Sequence, residues 1–230
     1  GLGFSSKIPA SEHTAENHIY WINKVLKELE LKELVYAGQD WGGPIGMGAL
    51  SLSPGLLKGA VLLNTGFNAP KVNADLSPAH ALVKTPVIGE LLLEVIFSIF
   101  ERLKSVQGNP DSWTSEVAEL YGRPVYESGN SKAPLAMMRM VPDGPNHQSA
   151  PSMRRIEEYV NTLEIPAEIV WGENDPILGR ALPIMQQNFP NARLTKTAAG
   201  HFLQEEVPNE IAEALIRVIE EVTDLQTQKN

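Results

Sequence analysis

A chain of 230 residues with 43% hydrophobic, 20% charged and 7% aromatic residues can bury a core, and it has neither the low hydrophobicity nor the charge blocks of disorder. Its formal net charge of −9 and pI near 5.1 exclude a phosphate-tracking surface, so no nucleic-acid partner is expected and the substrate should be neutral or small. Zero cysteines exclude disulfides, thiolate catalysis and sulfur-ligated zinc; no apolar run reaches the ~18 residues of a membrane span, and the opening residues lack an apolar leader, a set of features that fits the cytoplasm.

Residues 14–30 carry Ile19, Trp21, Ile22, Val25, Leu26 and Leu29 at helical spacing and are expected to form an amphipathic helix. Residues 34–38 read as a short strand. After Asp40, two glycines and a proline lead into a small-residue helix over residues 45–52, which makes strand, sharp turn, helix. Residues 59–64 read as a second, buried strand, residues 167–171 as a third introduced by Ile165 and Pro166, and Arg193–Thr197 as a fourth. Residues 210–222 close the chain as an amphipathic helix, followed by a polar tail expected to fray. Between residues 66 and 153 this alternation stops. That stretch carries helical apolar runs such as residues 88–103, broken by Pro124, Pro134, Pro142 and Pro145. The expected class is α/β: a mostly parallel sheet whose core is supplied by residues 1–65 and 154–230, with residues 66–153 inserted as a helical lid.

The densest signal is Gly38-Gln39-Asp40-Trp41-Gly42-Gly43, placed where a strand gives way to a helix. It matches the Gly-x-Ser-x-Gly nucleophile elbow with Asp in place of Ser. A strained turn of this kind calls for glycines, because a Cβ on either flank would strike a neighbouring strand or helix. The turn points Asp40 outward and puts the Trp41 backbone N–H at a helix start, where partial positive charge steadies an oxyanion. A carboxylate nucleophile suits saturated carbon, since attack on an ester would give only a labile mixed anhydride. Alkyl halides or epoxides are the substrates this selects. A bare Gly-x-Asp-x-Gly more often marks a helix N-cap among turn glycines; its context here decides for the nucleophile.

An ester formed on Asp40 needs a base to activate water and a carboxylate to hold that base in the right tautomer. The order nucleophile, acid, His is met by Asp175, after the third strand, and His201, after the fourth. Both fall at the sheet edge where such folds bind ligands. Glu173 is the nearest rival acid, and Asp175 could instead serve an Asx turn before Pro176. His13 and His18 belong to the first helix or its approach, and His80 and His147 to the inserted segment, so a structural or solvent-facing role is expected of those four. The loop after the second strand, residues 64–68, has no carboxylate.

At these residues the sequence resembles haloalkane dehalogenases of the α/β-hydrolase fold. The likeness is carried by GQDWGGPIG at 38–46, PLAMMRMVP at 134–142, WGENDPILGR at 171–180 and AGHFLQEEVP at 199–208. Epoxide hydrolases share the Asp-Trp-Gly-Gly elbow; the lid stretch and the His201 segment favour the dehalogenases. An acid placed as Asp175 is resembles the subgroup with Asp after the penultimate strand. The resemblance implies that Trp41 offers its indole N–H to the departing halide, with Trp113, the only Trp of the insertion, as the candidate second donor.

What the resemblance implies is hydrolytic dehalogenation without metal or organic cofactor: Asp40 displaces halide, His201 activates water and Asp175 supports the imidazolium. Epoxide hydrolysis is the enzymatic rival and would use Tyr121 and Tyr126 as donors; a catalytically silent binding module is the other. In the family's complete fold several strands and a His-Gly-x-Pro-like loop precede the stretch that residues 1–7 resemble. The strand ending at Gly38 is therefore expected at a sheet edge, where it would pair with a second copy or with upstream chain.

Overall fold

A computed structural model of the chain describes residues 2–73, 78–91, 99–128 and 132–228. Its main elements are α1 (Ala15–Glu28), β1 (Leu34–Gln39), α2 (Gly42–Ser51), β2 (Leu57–Leu63), α3 (Pro78–Lys84), α4 (Ser115–Tyr126), α5 (Ala133–Arg139), α6 (Ala150–Val160), β3 (Ala167–Gly172), α7 (Leu182–Asn188), β4 (Arg193–Thr197) and α8 (Pro208–Thr227). The four strands predicted from the sequence are all present. Two helices extend further than expected. α2 starts at Gly42, directly after the elbow, and α8 starts at Pro208, where a proline costs no hydrogen bond, and continues through Thr227 instead of fraying after residue 222.

The prolines of the insertion act differently from expectation. Pro124 lies inside α4, near its C-terminal end, while Pro134 opens α5. Of the predicted run at 88–103, Ile88–Glu90 and Ile99–Arg102 are helical and Leu103–Val106 is a 3-10 turn; residues 92–98 lie outside the described residues.

The chain divides into two compact units. One comprises Gly1–His18, Ala69–Ser105 and Trp113–Ser152. In it, Arg139 holds Glu90 in a two-pronged ion pair at 2.6 and 3.0 Å, Lys84 pairs with Asp143 at 3.0 Å, and Trp113 stacks at a tilt on Tyr121 with ring centroids 4.9 Å apart. The other comprises Ile19–Asn68, Val106–Ser112 and Met153–Asn230 and contains the whole sheet.

The described sheet is parallel throughout, in the order β1-β2-β3-β4. β2 and β3 are central and covered on both faces, which is why they read as continuous apolar runs rather than alternating ones. Val61, Leu63 and Val170 turn to one face, where they pack with Ala214 and Val218 of α8. A fully buried aliphatic side chain of this kind contributes roughly 1.5–3 kcal/mol. Buried Glu168 of β3 is held by Arg217 of α8 through two bonds of 2.7 Å, so α8 is docked by charge as well as by apolar contact. β1 and β4 are the edges; Ala37, in the middle of β1, is exposed.

The seat of α8 is tight at Gly59, where an added Cβ would come within 2.5 Å of Val218 Cγ1 and 3.1 Å of Val222 Cγ2. Gly59→Val must therefore push α8 off the sheet. A loss of about 1–3 kcal/mol is expected in denaturant titration, the usual cost of overpacking.

Candidate active site

β1 ends at Gln39, and the next residue, Asp40, turns with a φ of +48°. A non-glycine residue in that region carries about 1–3 kcal/mol of strain and persists only where its surroundings hold it. Three hydrogen bonds do so here. The Asp40 N–H donates to the Asn64 carbonyl at 3.1 Å; the Asp40 carbonyl accepts from the Gly43 N–H at 3.0 Å and the Thr65 hydroxyl at 2.7 Å. The glycine requirement falls differently from the sequence expectation. A Cβ on Gly38 would meet the Tyr36 ring at 2.7 Å and one on Gly43 would meet Thr65 Oγ1 at 1.9 Å, but one on Gly42 would find nothing closer than 3.9 Å. The close approach to the next strand is made one residue later than the elbow pattern implies. Gly46 is also required, because the Tyr36 hydroxyl, bonded to the Gly42 carbonyl, occupies the place its Cβ would take.

The Asp40 carboxylate is oriented from its own turn. The Trp41 backbone N–H donates to Asp40 Oδ1 at 2.6 Å from the start of α2, while Oδ2 lies 3.5 Å from His201 Nε2. His201 Nδ1 is 3.0 Å from Asp175 Oδ2. The three residues singled out in the sequence thus converge within one unit, from loops after β1, β3 and β4. Asp40 remains about one-third exposed at its side chain, against 8% for His201 and none for Asp175. Glu173, the rival acid, points instead to Lys196 at 2.8 Å and is exposed.

Burial pulls on His201 and Asp175 against their hydrogen bonds. Desolvation alone would lower the imidazole, but the Asp175 hydrogen bond and the charges of Asp40 and Asp175 outweigh it and leave His201 above its ordinary 6.5. For Asp175 burial would raise the carboxyl; bonds from His201, Asn64 and the Ile177 N–H bring it below 3.8. The pair is therefore a carboxyl held below its ordinary value beside an imidazole held above its own.

Asn64 is a site residue that sequence reasoning passed over. Its Nδ2 donates to Asp175 Oδ2 at 2.8 Å and to the Gly172 carbonyl at 2.9 Å, and its Oδ1 accepts the Gly172 N–H at 2.8 Å. It is fully buried, and its φ is +27°. The signal available was an Asn at the end of a buried strand, opposite a candidate acid. Gln39, inside the elbow motif, was also missed: its Nε2 donates to the His201 carbonyl at 2.9 Å. Trp113 needs correction. Its single indole N–H donates to the Phe100 carbonyl at 2.7 Å and the residue is 3% exposed, so it packs its own unit and has no hydrogen left for a halide. Tyr121 and Tyr126 likewise sit against aromatic partners, Trp113 and Phe100.

An Asp–His–Asp array at the C-terminal ends of parallel strands, its first member on a strained strand-to-helix turn, fits the sheet edge at which α/β hydrolases carry their sites. A family model for the alpha/beta hydrolase fold matches residues 1–208, and the chain belongs to that family. It is 27% identical over 229 residues to a haloalkane dehalogenase of Psychrobacter cryohalolentis, covering 95% of this chain and 71% of the relative. It is also 26% identical over 238 residues to a cis-3-alkyl-4-alkyloxetan-2-one decarboxylase of Shewanella oneidensis, covering all of this chain and 74% of the relative. Among solved structures, a loop variant of the haloalkane dehalogenase DbeA from Bradyrhizobium elkanii superposes with a TM-score of 0.82 over 99% of this chain and 80% of the other; at 16% identity that likeness is one of fold.

The balance of forces on His201 gives a direct expectation. Followed by NMR, its imidazole should titrate with a midpoint above 6.5. In Asp175→Asn the largest upward pull is gone while burial remains, so the midpoint should fall below that of the parent; an unchanged midpoint would contradict the assigned pairing.

Proposed function

We propose that the protein hydrolyses the carbon–halogen bond of small neutral haloalkanes. The observation that carries this reading is the carboxylate at the elbow: Asp40 Oδ1 is fixed on the Trp41 N–H while Oδ2 faces His201 Nε2. Oδ2 attacks the halogen-bearing carbon, the carbon–halogen bond breaks, and halide leaves with the bonding pair, helped by the Trp41 indole. The attack makes an ester whose carbonyl oxygen, Oδ1, already rests on a backbone donor. Water then attacks the ester carbonyl carbon as His201 takes one of its protons, Asp175 supports the imidazolium, and the oxyanion collapses to release the alcohol and restore Asp40. The products are alcohol, halide and a proton.

An asymmetry follows from this order, since the first step needs no base and the second does. His201→Phe should release one equivalent of halide from a bromoalkane and then stall, with the alkyl mass retained on the Asp40 peptide and turnover lowered by about 10²–10⁴-fold. Asp40→Asn, with its mass checked for deamidation, should give neither halide nor adduct. The same proteins offered an epoxide and a cis-3,4-dialkyl oxetan-2-one separate this reading from its neighbours: diol or carbon dioxide formed faster than halide would replace the substrate while keeping the nucleophile.

The exposed middle of β1 supports a second reading, concerning association. Two copies can meet through the same edge about a two-fold axis, satisfying outward N–H and C=O groups on both. The 230-residue chain should therefore elute above its 25.2 kDa mass in light scattering, and Ala37→Lys should shift it toward monomer. A monodisperse monomer at all concentrations would refute the pairing.

A further inference from the structure

Between two stretches of the other unit, Val106–Ser112 returns to the sheet unit and lies along the loop that carries His201. The His201 N–H donates to the Val106 carbonyl at 2.8 Å, and the Phe202 N–H to Gln107 Oε1 at 3.0 Å. Gly200 and Gly108 let the two backbones approach: a Cβ on Gly200 would lie 2.2 Å from the Val106 carbonyl oxygen, and one on Gly108 would lie 2.0 Å from that of Ala198. A single side chain closes this contact. Glu206, five residues after His201, accepts the Gly200 N–H at 2.6 Å and the Gly108 N–H at 3.1 Å on Oε2, and the Asn109 N–H at 2.5 Å on Oε1. One carboxylate thus takes three backbone donors from two segments far apart in sequence, and charge-assisted bonds of this kind are about twice as strong as neutral ones.

We propose that Glu206 is a positioning residue for His201: by clamping the strap at 106–112 onto the loop at 199–202 it sets where the imidazole stands relative to Asp40. The effect is geometric. The charges that raise His201 are those of Asp40 and Asp175, and Glu206 is not among them. A glutamate was needed because the bonded groups are all donors, whereas an amide would present a donor of its own to one of them. The strap also explains why Gly108 and Gly200, remote from the elbow, cannot carry side chains.

The inference rests on His201 acting as base in the second chemical step, and its test separates the two ideas. Glu206→Gln is expected to raise hydrogen–deuterium exchange in the peptides covering 106–112 and 199–206 together, with the rest of the sheet unit unchanged. With a bromoalkane, the halide burst should persist while steady-state turnover falls about 10- to 100-fold, the scale of a misplacement near 1 Å. Glu206→Asp, which keeps the charge but is one methylene shorter, should act in the same direction and more weakly, and it serves if the Gln variant does not fold. Exchange that is unchanged in both segments, or an equal loss of burst and turnover, overturns the proposal. If the parent protein releases no halide from any haloalkane, the dehalogenation reading fails while the exchange comparison still decides the clamp.

Discussion

The end of β2 holds the site together. Asn64 and Thr65 meet two neighbouring turns at once: the Asn64 carbonyl and the Thr65 hydroxyl pin the strained Asp40, Thr65 stands against the bare Cα of Gly43, and the Asn64 amide bonds both Gly172 and Asp175. A positive φ at a non-glycine residue is unfavourable on its own, so the turn at Asp40 depends on partners supplied from the end of the next strand. The same two residues that hold Asp40 therefore also bond the turn that carries Asp175, and the relative placement of the two carboxylates is set through one short stretch of backbone. Such cross-bracing between strand ends makes a site rigid where loops alone would not.

The electrostatics of the array follow from how deep each member lies. Asp175 is out of water, and a buried carboxylate is stable only when its oxygens are bonded; His201, Asn64 and the Ile177 N–H do this. His201 has the opposite problem, because burial opposes a positive charge on its ring. Two carboxylates, one at each ring nitrogen, outweigh burial and leave the imidazole above its ordinary value. Asp40 differs by being partly exposed. The elbow here carries a carboxylate where the usual one carries a hydroxyl.

Much of this was legible along the chain. All four strands lie where apolar runs and turn residues placed them, and Asp40, Asp175 and His201 meet as their order predicted. These features are local: a run of β-branched and aliphatic residues, a glycine-flanked Asp between strand and helix, a His after the last strand. Helix ends were less legible, because Pro124 is absorbed near the end of α4 and the helical continuation of α8 past residue 222 carries no periodic apolar signal strong enough to announce it.

What remained hidden is what depends on residues far apart in the chain. Nothing in the sequence near Asn64 says that its amide will face Asp175, 111 residues later, nor that Gly43 rather than Gly42 will be the glycine with no room for a side chain. Trp113 read as a possible donor because an indole N–H is visible in sequence, whereas the carbonyl of Phe100 that takes it is chosen only by packing. Glu206 likewise reads as one more acid in an acidic chain until three backbone N–H groups converge on it. The sequence by itself determined the strands, the Asp of the elbow and the chain order of the acid and histidine that meet it, since those rest on short-range pattern and residue chemistry. Only the tertiary structure decided which side chains brace them, because a hydrogen-bond partner is a matter of distance in space, and distance in space is settled by how the strand ends come together.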